Sequence, residues 1–352
     1  MSYSVLSPYI IPPELYNRKR ANIGDGFILH RIFKLLQPSV CSHIFSTRVK
    51  LGEEDIEKIN STKALILAGA NQLNDHYSIV PEFDLFQARR VKIPIIPFGI
   101  GISGEKKNNV QMSEKTRSIL RELHGRIKYS SWRCPFTLEY LFRQLPDIAD
   151  RFLLTGCPVV YDDNLLNGIP FSSGTGRVVV TVTERDDFWE RETKTIDYVS
   201  RKFENSEKCL SLHQSYNFPV GSKWSSLIFV RRKKRLKRKK IVDFHNYAME
   251  RGFSVLIPEN VESCWTLYNG FHLHIGSRLH AHLFFLSQAK RSFLTYVDER
   301  MKGFSTMLGF PLCDYNKFDD YMGYDFETYR QKSIEHYETM KRFVLYLRSE
   351  IL

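Results

Sequence analysis

Short apolar runs ending in glycine or a polar turn alternate along the chain with stretches whose apolar residues recur every three or four positions. ALILAG (64–69) and IPIIPFG (93–99) are continuous, apolar and glycine-terminated, the pattern of parallel strands buried on both faces. IKYSSW (127–132) predicts a weaker third strand. Between them FILHRIFKLL (27–36) and SEKTRSILRELHG (113–125) predict helices, the second capped by Ser113 and stopped at Gly125. Pro135 suits the first position of a further helix, PFTLEYLFRQL (135–145). A turn-rich stretch, DDNLLNGIPFSSGTG (162–176), then breaks the alternation and reads as a linker.

The alternation restarts with strand-like RVVVTVT (177–183), KCLSLH (208–213), LIFVRR (227–232), FSVLIPE (253–259), FHLHIG (271–276) and SFLTYV (292–297). Helical spacing of Phe188, Ile196, Val199 and Phe203 follows the first of these, and IVDFHNYAMERG (241–252) ends at a glycine cap. Near the C-terminus Ile334, Tyr337, Met340, Phe343, Val344 and Leu347 form one apolar helix face. Two successive α/β lobes with parallel sheets are expected: residues 1–172, residues 173–330, and a terminal helix over 331–352 packing back on the first lobe. Ligands of such folds gather at the carboxyl ends of the strands, so the cleft between the lobes is the expected site.

Bulk properties narrow the class. A chain of 352 residues with 43% hydrophobic and 26% charged residues is globular and long enough for two domains. No run approaches the ~20 apolar residues that cross a bilayer, and the opening MSYSVLSPYIIPPELYNRKR lacks the pattern of a signal peptide. Six cysteines without CxxC pairs point to reduced thiols in a cytoplasmic setting. The net charge of +12 is local: Arg231, Arg232, Lys233, Lys234, Arg235, Lys237, Arg238, Lys239 and Lys240 carry nine charges, and the chain without them stands at +3. Such a run suits an anionic membrane surface, a polyanionic acceptor or simply solvent. Without aromatics to stack bases it argues against nucleic acid.

GIGISG (99–104) matches a dinucleotide fingerprint, but the polar EKKNNVQM that follows is no helix and no ribose-binding acid ends a later strand. Its glycines are expected to let backbone approach a ligand or loop closely. Asp25 in NIGDG (22–26) is expected to cap a helix starting near Phe27, or to face the cleft as a base. Arg278 and His280 stand where FHLHIG becomes the apolar SRLHAHLFFLSQA. A cation in a first helical turn is unfavourable without a negative partner, which hints at a bound anion or an ion pair. His280 beside it can move a proton near neutral pH. His272, His274, His280 and His282 do not share one face and lack nearby carboxylates or thiolates, so no metal centre is expected.

NIGD (22–25), ALILAGANQL (64–73), PFGIGISG (97–104), SWR (131–133), LTGCPVVYDD (154–163), RLH (278–280) and YVDERMKGF (296–304) occur in an order that resembles the polysaccharide pyruvyl transferase family. Departures are Cys134 after Arg133, AGAN where the family has GGG, and Arg300 where it has lysine. The resemblance implies a GT-B-like fold whose two Rossmann-type lobes face a central cleft, acceptor on the first lobe and donor on the second. It implies transfer of pyruvate from phosphoenolpyruvate to two hydroxyls of a saccharide, forming a cyclic ketal in cell-envelope or exopolysaccharide biosynthesis. No cofactor and no metal are implied. His280, Arg278 and Asp25 would be catalytic, and Asn22, Gly24, Arg133, Arg185, Leu279 and Arg300 would bind substrate. A lipid-linked acceptor would place the enzyme on the cytoplasmic face of the plasma membrane. Two alternatives stay open: a glycosyltransferase using a nucleotide sugar, for which Glu259 is the one tempting ribose ligand, and a degenerate binding protein.

Overall fold

The computed structural model describes residues 2–10, 22–102, 111–213 and 243–352. Two six-stranded parallel sheets with flanking helices make a GT-B-like pair of lobes. The first contains β1 (Ser2–Ser7), β2 (Val40–Ser46), β3 (Leu65–Leu73), β4 (Ile95–Ile102), β5 (Ser130–Trp132) and β6 (Phe152–Leu154), in the order β2-β1-β3-β4-β5-β6. The second contains β7 (Arg177–Thr181), β8 (Glu207–Ser211), β9 (Ser254–Leu256), β10 (Leu273–Gly276), β11 (Ser292–Thr295) and β12 (Leu312–Cys313), in the order β12-β11-β10-β7-β8-β9. The expected apolar runs form β3, β4, β7, β10 and β11, because a strand covered on both faces needs side chains that lose nothing on leaving water. LIFVRR and the basic run 231–240 lie outside the described residues, as do 103–110 after the GIGI of β4.

Helix boundaries follow local chemistry. Ser113 accepts a hydrogen bond from the Thr116 amide and caps the Glu114–His124 helix, and Pro135 opens the Pro135–Gln144 helix. The first helix runs from Ile23 to Leu36, four residues earlier than expected. Asn22 caps it, accepting from the Gly24 amide at 3.1 Å, so Asp25 is a first-turn residue and not the cap.

One core cluster crosses from lobe to lobe. Phe27 of the first helix stacks on Phe284 of the Leu279–Ser287 helix with centroids 5.4 Å apart. All nine residues of that second helix are buried, which explains why LHAHLFFLS shows no polar face. The long Glu327–Tyr346 helix returns to the first lobe, where Phe343 meets Phe98 edge-on at 5.1 Å and the Tyr346 hydroxyl accepts from the Lys128 amide at 2.8 Å. Ile334 departs from its expected apolar face and is 37% exposed.

Candidate active site

A pocket of about 350 Å³ opens between the carboxyl ends of the two sheets. The first lobe supplies Pro8 after β1, Thr47 and Arg48 after β2, and Asn71 and Gln72 at the end of β3. The second supplies His213 after β8 and Arg278, Leu279 and His280 after β10. Asn22, Gly24 and Asp25 enter from the start of the first helix, and Arg300 from the Glu299–Leu308 helix.

Gly24 is demanded by this meeting of lobes. A Cβ there would lie 2.6 Å from His280 Nδ1 and 3.3 Å from its Cβ and Cγ, so only glycine lets the helix start rest against the imidazole. Gly101 has the same function deeper down, where a Cβ would lie 2.4 Å from Arg133 Nε. Gly99 likewise gives room to Pro158, whose Cδ would lie 2.8 Å from a Cβ at that position.

Arg278 is the cap residue of its helix and not inside the first turn. Its Nε donates to the Val182 carbonyl at 2.8 Å and its amide to Thr181 Oγ1 at 3.3 Å. Its Nη2 is ion-paired with Glu184, a buried carboxylate that follows β7. The charge of Arg278 thus has a partner within the protein, and the anion inferred from an unbalanced helix start is not required by it. Beneath, Ser277 donates to Glu192 Oε1 at 2.7 Å and the Thr183 amide donates to the same oxygen at 3.0 Å, tying β7 to the turn that carries Arg278.

His280 is buried, with Nε2 3.4 Å from Arg133 Nη1. A guanidinium only donates, so Nε2 is the acceptor and the neutral ring carries its proton on Nδ1. Burial, then the positive charge of Arg133, Arg300 and Arg278, pushes the His280 pKa well below 6.5. Asp25 is shifted the opposite way: burial raises its carboxyl pKa, with Arg133, Arg48 and Arg300 pulling against it. The surroundings therefore favour a neutral imidazole and a carboxyl drawn toward its protonated form. Arg300 lines the same space, with Nε donating to Asp298 at 2.9 Å.

Of the expected substrate residues, Asn22, Gly24, Leu279 and Arg300 line the pocket and Arg133 backs His280. Arg185 is not among the lining residues: it pairs with Asp187, lies over the Phe188 ring and has a side chain 54% exposed. The strand end TER instead sends Glu184 inward, a one-residue change of face. Glu259 is exposed and also outside the lining residues. Arg48, Asn71, Gln72 and His213 were not anticipated. His213 ends a predicted strand and was findable by the strand-end rule, whereas Arg48 follows a strand whose sequence, VCSHIFS, is too polar to announce itself.

His274 and His282 both hydrogen-bond Ser292 Oγ, at 2.6 and 2.7 Å, and His274 Nε2 meets Thr181 Oγ1 at 2.8 Å. They form a polar bracket under the Arg278 turn. Among the described residues no group of three or more His, Cys, Asp or Glu is arranged to hold a metal ion.

The sequence model of a family described as polysaccharide pyruvyl transferase matches residues 22–299. No curated protein sequence matches the chain. Among solved structures, the UDP-GlcNAc 2-epimerase of Neisseria meningitidis bound to UDP-GlcNAc is 9% identical, with 98% of each chain covered and a TM-score of 0.52. The UDP-GlcNAc 2-epimerase of Methanocaldococcus jannaschii is 12% identical over 98% of this chain and 100% of that one, with a TM-score of 0.49. At such identity the likeness extends to the fold alone.

Proposed function

The chain belongs to the polysaccharide pyruvyl transferase family, and we propose that it moves pyruvate from phosphoenolpyruvate onto two hydroxyls of a saccharide, closing a cyclic ketal. The observation that carries this reading is the gathering of Arg48, Arg278 and Arg300, with Arg133 behind them, around the His280 imidazole and the Asp25 carboxyl. The donor brings a phosphate and a carboxylate, and guanidinium forks fit both.

In the first step an acceptor hydroxyl oxygen bonds to C2 of the enol phosphate while C3 takes a proton. In the second the C2–O–phosphate bond breaks, the second hydroxyl oxygen bonds to C2, and its proton leaves with the phosphate. The overall transfer needs no oxidant or reductant. His280 is the proposed acid/base. To take a hydroxyl proton its Nε2 must exchange Arg133 Nη1 for the acceptor hydroxyl, and the donor's negative charge then favours the imidazolium that returns the proton. Asp25 is the proposed partner of the acceptor hydroxyl, and the guanidinium groups hold the leaving phosphate. A lipid-linked acceptor and docking on the inner face of the plasma membrane through 231–240 complete the proposal. Among the described residues no helix is long and apolar enough to cross a membrane.

Thermal shift separates donors. Phosphoenolpyruvate is expected to raise the melting temperature, and UDP-GlcNAc, the ligand of the Neisseria structure, is not. The His280→Ala protein is expected to keep the phosphoenolpyruvate shift yet form no ketal. Stabilisation by the nucleotide sugar alone refutes the assignment.

A further inference from the structure

A second groove, of about 320 Å³, lies at the far end of the Ile23–Leu36 helix from the Asn22 cap, where the Glu327–Tyr346 helix passes it. Leu35, Leu166, Tyr337 and Val344 line it with apolar surface, and Leu345 stands at its lip, 62% exposed. Lys34, Lys341 and Arg348 also line it, with Asp163 as the one lining carboxylate.

Arg31 forms part of the wall. Its side chain is only 4% exposed; Nη1 is ion-paired with Asp162, yet Nε is buried with no hydrogen-bond partner among the described residues. Its guanidinium carbon also lies 5.0 Å from the centre of the Trp265 ring, so the protein itself holds Arg31 in that wall. The lysines are held loosely: Lys34 pairs with Asp163 and Lys341 with Glu338 across exposed contacts, which exchange partners at little cost. A small inorganic anion would leave the apolar walls wet, and a plain hydrocarbon would put no negative charge beside Lys341 and Arg348. The volume falls in the range of small-molecule sites.

We propose that this groove is a second ligand site for an amphipathic anion, a single alkyl chain bearing a phosphate head. The chain covers Leu166, Val344 and Leu345, and the head meets Lys341 and Arg348. This inference does not depend on the pyruvyl-transfer reading, because it shares no residue with the pocket that holds His280.

Calorimetric titration of the full chain with decyl phosphate, below its critical micelle concentration, is expected to show one site. Lys341→Glu and Leu345→Asp are each expected to weaken it by about tenfold or more. Both positions are exposed, so the melting temperature without ligand is expected to hold. Decanol and inorganic phosphate, each lacking half of the ligand, are expected to bind more weakly. Vesicles of phosphatidylglycerol form the other arm. Binding to them that both substitutions reduce assigns the ligand to a bilayer lipid, and binding to the monomeric amphiphile alone assigns it to a free one; either supports the site. Equal affinity in the wild type and both variants overturns it, as does loss of binding in His280→Ala with both groove variants unaffected.

Discussion

Five buried histidines are expected to make the fold of this protein sensitive to acid. His124, His213, His274, His280 and His282 are each at most 9% exposed. Burial drives the pKa of His124 to about 4 and those of His213 and His282 to about 3, and holds His274 and His280 well below 6.5. In the unfolded chain the same groups titrate near 6.5. Their folded values are depressed, so their contribution is intact above about pH 6.5 and is lost as the pH falls toward the folded values. At pH 5 an imidazole moved from 6.5 to 3 or 4 costs about 2 kcal/mol, and His124, His213 and His282 together about 6 kcal/mol. That compares with a total stability of about 5–15 kcal/mol for ordinary domains. Asp25 and Glu192, whose pKa values burial raises, recover part of this as they protonate. The bracket of His274, Ser292 and His282 sharpens the argument. Ser292 has one hydroxyl proton for two Nδ1 atoms, so at least one ring must donate to it and the pair is satisfied with both rings neutral. A further proton on His282 Nε2 would have no acceptor among the described residues. Urea unfolding between pH 7.5 and 5 is expected to show a steep loss of stability below 6.5, with a shallower slope in His124→Gln. Stability constant across that range would refute the reasoning.

Two further outcomes test the site. Gly24→Ala places a methyl carbon 2.6 Å from His280 Nδ1, and Arg133 behind the ring blocks retreat; the expected cost is about 1–3 kcal/mol in denaturant unfolding, together with a fall in turnover of about a hundredfold if the ring shifts by ~1 Å. Glu184→Gln leaves the Arg278 charge without its buried partner, so the protein assayed without added ligand is expected to lose about 3–5 kcal/mol. Phosphoenolpyruvate should then raise its melting temperature more than that of the wild type, and an equal shift in both would show that Arg278 does not face the donor.

What the sequence made legible depends on where the information resides. Strands β3, β4, β7 and β10 declare themselves because a strand sealed on both faces needs an unbroken apolar run. β1 and β2, SYSVLS and VCSHIFS, mix serine with apolar residues, and β6 and β12 have three and two residues; such strands take their identity from neighbours that only the folded chain supplies. The site divides the same way. Arg278 and His280 were visible because a strand-to-helix junction fixes where they stand. Their partners were not, because residue order does not say that Glu184 rather than Arg185 turns inward, or that Arg133 comes from the other lobe to His280. That difference changes the chemistry. An unpaired Arg278 would have bound an anion simply to be neutralised. Paired with Glu184, and with Arg300 held by Asp298, it presents a guanidinium fork already fixed in direction. The site is then preorganised, and an anion entering it would meet forks whose direction Glu184 and Asp298 have already set, at a smaller ordering cost.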